Sequence, residues 1–216
     1  MGPPRGTLYT GAVSIFLIRH GETVGNATRV VQLPDNPLSS RGLAQAERLA
    51  QRLAGAGITH ILSSDFARAA STAGALHRVL GVPLTFEPLL QERNFGDLRG
   101  TRYAELGFDM FAPDYAPPNG ESWEVFHRRV DRAWACVQTL AAATPGSLAV
   151  VTHGLVCRSL AERQLVLTPG DTVPARWENT SLTVCEGPAP WRVGLLNCIA
   201  HLDDLDAAPL ADTGAV

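Results

Sequence analysis

The strongest constraint on the fold is a set of short apolar runs that each stop abruptly at polar residues. Val13 to Ile18 reads as a strand covered on both faces, and Arg19, His20 and Gly21 cut it off. Ile58 to Leu62 is broken by Ser63, Ser64 and Asp65, and Ser147 to Thr152 ends in His153 and Gly154. Leu84 to Leu90 is strand-like and leads into Glu92. Helical patterns lie between these runs. Ser39 or Ser40 can cap a helix in which Leu43, Ala46, Leu49 and Leu53 repeat at helical spacing until Gly55. A second helix is predicted over about Phe66 to Leu80, ending at Gly81, and another over Leu155 to Leu165. A long helix from Gly120 carries one stripe of Phe126, Val130, Ala133, Trp134, Val137 and Leu140. Thr180 to Cys185 and Trp191 to Cys198 alternate around a Gly/Pro turn, the pattern of a hairpin.

Strands alternating with helices predict a three-layer α/β/α sandwich with a mostly parallel central sheet. The stretch from Asn94 to Asn119 is rich in Gly, Pro and aromatics with weak periodicity, so it predicts a small helical or irregular cap. A chain of 216 residues suits a single domain over 1–216, with its core at about 11–202 and the cap insertion at about 94–120. Residues 1–10 and the acidic tail 203–216 are expected to be loose.

A net charge of −3 gives no electrostatic reason to expect nucleic acid or an anionic membrane as partner. All 18 basic residues are Arg, which excludes Schiff-base or other lysine chemistry. Cys136, Cys157, Cys185 and Cys198 show no metal-finger or CxxC spacing and read as buried thiols in a reducing compartment. No signal pattern and no run of about 20 apolar residues is visible, so a cytoplasmic location is expected.

In parallel α/β folds ligands bind beyond the carboxyl ends of the strands. Four strand ends here deliver polar residues: Arg19 and His20, then Ser63 and Ser64 leading to Arg68, then Glu92, then His153. Arginines bind oxyanions in fork geometry, a neutral imidazole is a nucleophile, and a carboxyl can pass a proton to a leaving group. Each piece has a plainer reading. Arg68 at a helix start can be a solvated surface residue, Glu92 can pair with Arg93 or Arg99, and a lone His153 can be structural. Composition alone gives Arg-His-Gly about 0.05 times in such a chain, so it is the ensemble that points to phosphate chemistry. His60 and His77 sit beside core positions, His127 on the polar face of the long helix and His201 near the tail. None has zinc-ligand spacing, and no metal or other cofactor is expected.

"LIRHGET" with Asn26, "SSDFARAASTA", "LLQERNFGDLRG", "NGESWEVFHRRV" and "VVTHGLVCRSL" together resemble the histidine phosphatase superfamily, which includes the cofactor-dependent phosphoglycerate mutases. The resemblance runs in order from about residue 13 to 202, with "DNPLSSRGLAQAERLA", "NTSLTV" and "LNCIAHL" also similar. It implies a phosphoglycerate mutase-like fold and a metal-independent phosphatase acting on phosphomonoesters of small metabolites through a phosphohistidine. His20 would be the nucleophile. Arg19, Arg68 and a protonated His153 would hold the phosphate, assisted by Asn26, Thr23 and Gly154. Glu92 would protonate the leaving alcohol and then activate water. Gly21 and Gly154 would let the backbone approach the anion closely.

The mutases of the family carry a longer segment after the acid, with a Lys and paired arginines; this chain has about twenty residues between Gly100 and Gly120 and no Lys. Net hydrolysis is therefore favoured over isomerisation. Phe95, Tyr103, Phe108 and Trp123 are candidates to line the pocket. Three alternatives stay open: a mutase-type phosphotransferase, a dedicated α-ribazole phosphatase, and a non-catalytic phosphate-binding module. The expected partners are a small phosphorylated metabolite and inorganic phosphate as product, with a homodimer left open.

Overall fold

Six strands form one sheet in the computed structural model, which describes residues 13–203 and 205. The expected loose N-terminus and nearly all of the expected tail lie outside the described residues. In chain order the elements are β1 (Ser14–Arg19), α1 (Val24–Thr28), α2 (Ser40–Leu53), β2 (Ile58–Ser63), α3 (Ala67–Leu80), β3 (Leu84–Phe86), α4 (Trp123–Ala143), β4 (Ser147–Thr152), α5 (Gly154–Arg163), β5 (Leu182–Glu186) and β6 (Arg192–Cys198). The sheet order is β3-β2-β4-β1-β5-β6. The first four strands of that order run parallel, and the β5–β6 hairpin completes one side antiparallel.

The continuous apolar runs have the cause expected of them. Ile15 and Leu17 face one layer, where Phe126, Val130 and Trp134 of α4 and Val156 and Leu160 of α5 cover them. Phe16 and Ile18 face the other, against Leu49 and Leu53 of α2 and Ala73 and Leu76 of α3. Each such large side chain, removed wholly from water, contributes about 1.5–3 kcal/mol. The result is an α/β/α sandwich.

Local chemistry trims some of the expected boundaries. The strand predicted over Leu84 to Leu90 stops at Phe86, because Pro88 has no N–H for a ladder. Pro88–Leu90 instead forms a 3₁₀ turn, closed where the Glu87 carboxylate accepts the Leu89 N–H at 2.9 Å. Ser39, not Ser40, caps α2, accepting the Gly42 N–H at 3.0 Å. The short α1 had no sequence signal beyond Thr23 and Asn26, which form a reciprocal capping box.

The cap between β3 and α4 is irregular, with two short 3₁₀ turns, Gly96–Leu98 and Tyr103–Glu105, around a small cluster of Val31, Phe95 and Met110. Its two ends are tied together. The Glu121 N–H donates to the Asn94 carbonyl at 2.8 Å, and the Asn94 N–H donates to the Glu121 carboxylate at 2.8 Å.

Candidate active site

Strand register assembles the site. Arg19 of β1 pairs with Thr152 of β4, so the next residues, His20 and His153, emerge side by side. Ser63 of β2 pairs with Val151, which puts Ser64 on the other side of His153. The His20 N–H donates to the Thr152 carbonyl at 2.9 Å and the Ser64 N–H to the Val151 carbonyl at 2.9 Å, holding all three on the carboxyl edge of the sheet. Helices α3 and α5 begin at this same edge, and their N-terminal dipoles favour an anion there.

His20 is buried, and its Nδ1 lies 2.7 Å from the Gly21 carbonyl. A carbonyl only accepts, so Nδ1 carries the proton and the Nε2 lone pair faces the site. The Arg68 Nε–H donates to that Nε2 at 3.2 Å. Burial, then the charges of Arg68 and Arg19, push the imidazole well below its usual range, so it stays neutral. Arg68 is held by the Leu33 carbonyl at 3.0 Å; burial lowers it to about 10, against the upward pull of Glu92. A cation in the first turn of α3 opposes the helix dipole, which an anion bound nearby would offset. Arg19 donates through Nη1 to the Trp177 carbonyl, while its buried Nε has no hydrogen-bond partner among the described residues.

His153 meets Ser64 Oγ through Nε2 at 2.8 Å, and its buried Nδ1 is likewise unpartnered among the described residues. The expectation that His153 carries a proton does not hold. Burial and the charges around it, Arg68 first, push it well below the usual histidine range. It can still donate one hydrogen bond as a neutral ring. Unpaired buried polar nitrogens are rare in folded proteins, and two of them, Arg19 Nε and His153 Nδ1, lie at one strand edge, where the Arg19 N–H suits an incoming oxyanion.

Glu92 is placed by a clamp. Arg129 of α4 donates to the carbonyls of Leu89 (2.7 Å), Gln91 (2.8 Å) and Glu92 (3.3 Å), and it pairs with both oxygens of Glu121 at 2.7 Å each. The Glu92 carboxyl accepts the N–H groups of Arg93 (3.0 Å) and Leu155 (3.2 Å). Burial raises its pKa, and this outweighs the opposing pull of those amides and of Arg68 and Arg19. It opens onto a cavity of about 750 Å³.

Other expected site residues have different tasks. Thr23 Oγ1 donates to Gln32 at 2.7 Å and accepts the Asn26 N–H at 3.0 Å, and Asn26 Oδ1 accepts the Thr23 N–H at 3.2 Å. Both side chains are thus used in shaping α1. Gly21 packs against α2: a Cβ there would lie 2.6 Å from the Gly42 carbonyl. Gly154 leaves room for Arg19, whose Nε would stand 3.5 Å from an added Cβ. The four aromatics do not line the cavity. Phe95 packs inside the cap, Phe108 lies against Tyr115, and Trp123 stacks under the Arg93 guanidinium at 3.9 Å. Tyr103 alone stands near the reactive groups, its phenol kept neutral by burial and by Glu92.

His127 is not on a solvated face; it stacks on Trp123 and bonds Ser159 of α5 at 2.8 Å. His60 and His77 bond Thr85 and the Val82 carbonyl at the surface rather than joining the core. Sequence reasoning left two site residues without a role. Asn179 donates to the His20 carbonyl at 3.1 Å and to Asn26 at 3.2 Å. Ser64 orients His153, and the strand-end rule that found the histidines also applied to it. Among the described residues no group of three or more His, Cys, Asp or Glu is placed to hold a metal ion.

The model of the histidine phosphatase superfamily (branch 1) matches residues 15–197. The chain belongs to that superfamily. "Probable phosphoglycerate mutase GpmB" of Yersinia enterocolitica is a histidine phosphatase relative 34% identical over 213 residues, covering 88% of this chain and 95% of its own. The mycobacterial glucosyl-3-phosphoglycerate phosphatase solved with VO3 superposes with a TM-score of 0.73 at 26% identity, covering 87% of this chain and 100% of that one. An Escherichia coli structure described as "a putative alpha-ribazole-5'-P phosphatase" superposes at 0.72 with 26% identity, covering 88% of this chain and 98% of that one. This histidine phosphatase is accordingly a phosphoric monoester hydrolase on a phosphoglycerate mutase-like fold.

Proposed function

We propose that His20 Nε2 attacks the phosphorus of a small-metabolite phosphomonoester and that the net reaction is hydrolysis. The observation that carries this reading is a buried, neutral imidazole whose lone pair faces the Arg68 guanidinium beside unpartnered nitrogens of Arg19 and His153. As the N–P bond forms, the P–O bond to the alcohol breaks, and the departing oxygen takes the Glu92 proton. The Glu92 carboxylate then removes a proton from water. That water attacks phosphorus, the P–N bond breaks, and inorganic phosphate leaves with His20 and Glu92 restored. Phosphoryl transfer of this kind needs positioning and fixed positive charge more than covalent help, and two guanidiniums with a neutral His153 donor supply both.

Mutase-type transfer is the second reading, supported by the name of the Yersinia relative. Against it, Arg128 is an exposed partner of Glu124 at 3.0 Å, and Arg129 is consumed by Glu121 and three carbonyls. Neither offers a free guanidinium to a substrate carboxylate. A cytoplasmic, reducing location belongs to the same reading. Its support is that all four thiols are free, with burial pushing Cys185 up to about 12, and that no helix among the described residues is long and apolar enough to cross a membrane.

Rapid quenching during turnover of para-nitrophenyl phosphate is expected to trap an acid-labile phosphoryl group on the peptide containing His20. His20→Ala is expected to abolish both trapping and release while the fold survives. Undiminished turnover by that variant would refute the assignment. Formation of a phosphate-shifted isomer in place of inorganic phosphate would favour the mutase reading.

A further inference from the structure

One cation beside the cavity, Arg99, is left without an ion pair among the described residues by the contacts that engage its neighbours. Three guanidiniums border the reacting region and the cavity beside it: Arg19, Arg68 and, on the first turn of the cap, Arg99. Arg99 stands seven residues past Glu92, shares the cavity with it, and is close enough to Arg68 for its charge to help lower that group. Arg129 and Arg93 border the same region; Arg129 is fully committed, and Arg93 all but its Nη1, which is buried without a partner among the described residues. Arg129 is saturated as described, and Arg93 donates to the carbonyls of Glu121 (3.0 Å) and Tyr115 (2.6 Å) and lies over Trp123. Arg99 donates no side-chain hydrogen bond and joins no ion pair among the described residues. Its electrostatic partner is Glu121, whose oxygens are already taken by Arg129 and the Asn94 N–H.

We infer that Arg99 is the subsite for a second anionic group on the substrate, a carboxylate or a further phosphate, carried by the leaving alcohol. A half-buried guanidinium without a partner has lost water and gained nothing in return; a planar oxyanion reaching it gains two parallel charge-assisted bonds. Burial already lowers its pKa, in keeping with that desolvation. The pairing of the charged groups agrees. A phosphate dianion matches Arg19 and Arg68, Glu92 is held toward its neutral form, and Asp35 and Asp65 sit exposed at the rim, Asp65 bonded to Gln91 at 2.7 Å. Arg99 remains unmatched. A cavity of about 750 Å³ also has room for a leaving group far larger than phosphate itself.

This inference rests on the phosphomonoesterase reading, so its test compares substrates within pairs that share that chemistry. One pair is 3-phosphoglycerate and glycerol 3-phosphate, which differ by a carboxylate. The other is propane-1,3-diol bisphosphate and 3-hydroxypropyl phosphate, which differ by a phosphate. The unsubstituted protein is expected to favour the more anionic member of at least one pair in kcat/KM. Arg99→Gln is expected to reduce that preference tenfold or more, chiefly through KM, and Arg99→Lys to keep part of it. The responding pair identifies the anion. Each ratio is measured on one sample, so partial unfolding of a variant cancels. No preference in either pair, or a ratio within twofold after Arg99→Gln, overturns the subsite and leaves the phosphatase reading intact. Turnover of para-nitrophenyl phosphate but of none of the four overturns the subsite alone, and failure on all five overturns both.

Discussion

Glu92 and His20 are held with opposite biases. The carboxyl is driven toward its protonated form by burial and the imidazole toward its neutral form by burial and two guanidiniums, which are the states an acid and a nucleophile need before the first step. The cost falls on stability. A raised carboxyl pKa means that above about pH 4.5 the folded state disfavours an ionised group that the unfolded chain carries freely. Glu92→Gln mimics the protonated acid, so its denaturation midpoint at pH 7 is expected to match or exceed that of the unsubstituted protein. Its turnover of alkyl phosphates is expected to fall by about 100-fold or more, with a smaller loss on aryl phosphates, whose leaving groups need less protonation. Equal losses on both classes, or a clearly lowered midpoint, would contradict the role given to Glu92. His153 shows where residue-level reading from sequence fails. Its place was legible from the strand ending in Thr152, but its charge depended on burial and on four neighbours contributed by other parts of the chain, Arg68, His20, Arg19 and Arg129.

Elements were legible where one force dominated. The two-sided apolar runs of β1, β2 and β4 and the stripe of α4 fix strand and helix by burial alone. Legibility was lost where a single atom decides, as at Pro88, or where a pairing is long-range, as between Arg129 and the carbonyls beneath Glu92. Two helical glycines make the same point in opposite directions. By propensity alone, Gly to Ala inside a helix gains about 1 kcal/mol. At Gly42, in the first turn of α2, an added Cβ would stand 2.0 Å from the Glu22 carbonyl oxygen. At Gly74 in α3 it would meet nothing within 4 Å. Gly74→Ala is therefore expected to stabilise by about 0.5–1 kcal/mol in urea titration. Gly42→Ala is expected to destabilise by about 1–3 kcal/mol and to reduce kcat as well, because the displaced loop is the one that carries His20. Stabilisation by both would show that the close packing of α2 on this loop is not a constraint.

For the whole molecule, the response to acid follows from four histidines held below their usual range: His20, His153, His127 and His201, the last lowered to about 4 by burial and by Arg52 and Arg48. Each has a folded pKa below its unfolded value, so below about pH 6.5 the unfolded chain takes up protons that the folded chain refuses. The urea midpoint is expected to fall between pH 7.5 and pH 5, and His201→Gln is expected to flatten part of that fall. A midpoint independent of pH over this range would contradict four lowered histidines. Chemistry and recognition are also carried by different parts of the chain. The frame of β1, β2, β4 and their helices holds His20, His153, Arg19 and Arg68, while Arg99 rides on the excursion that leaves at Asn94 and returns at Glu121. Since those two residues clasp each other, the stretch between them enters and exits at a single point, like a bead on a closed loop of string. The group proposed to recognise the substrate and the groups proposed to react with it thus sit on separate lengths of one scaffold, the first inside that loop and the second outside it.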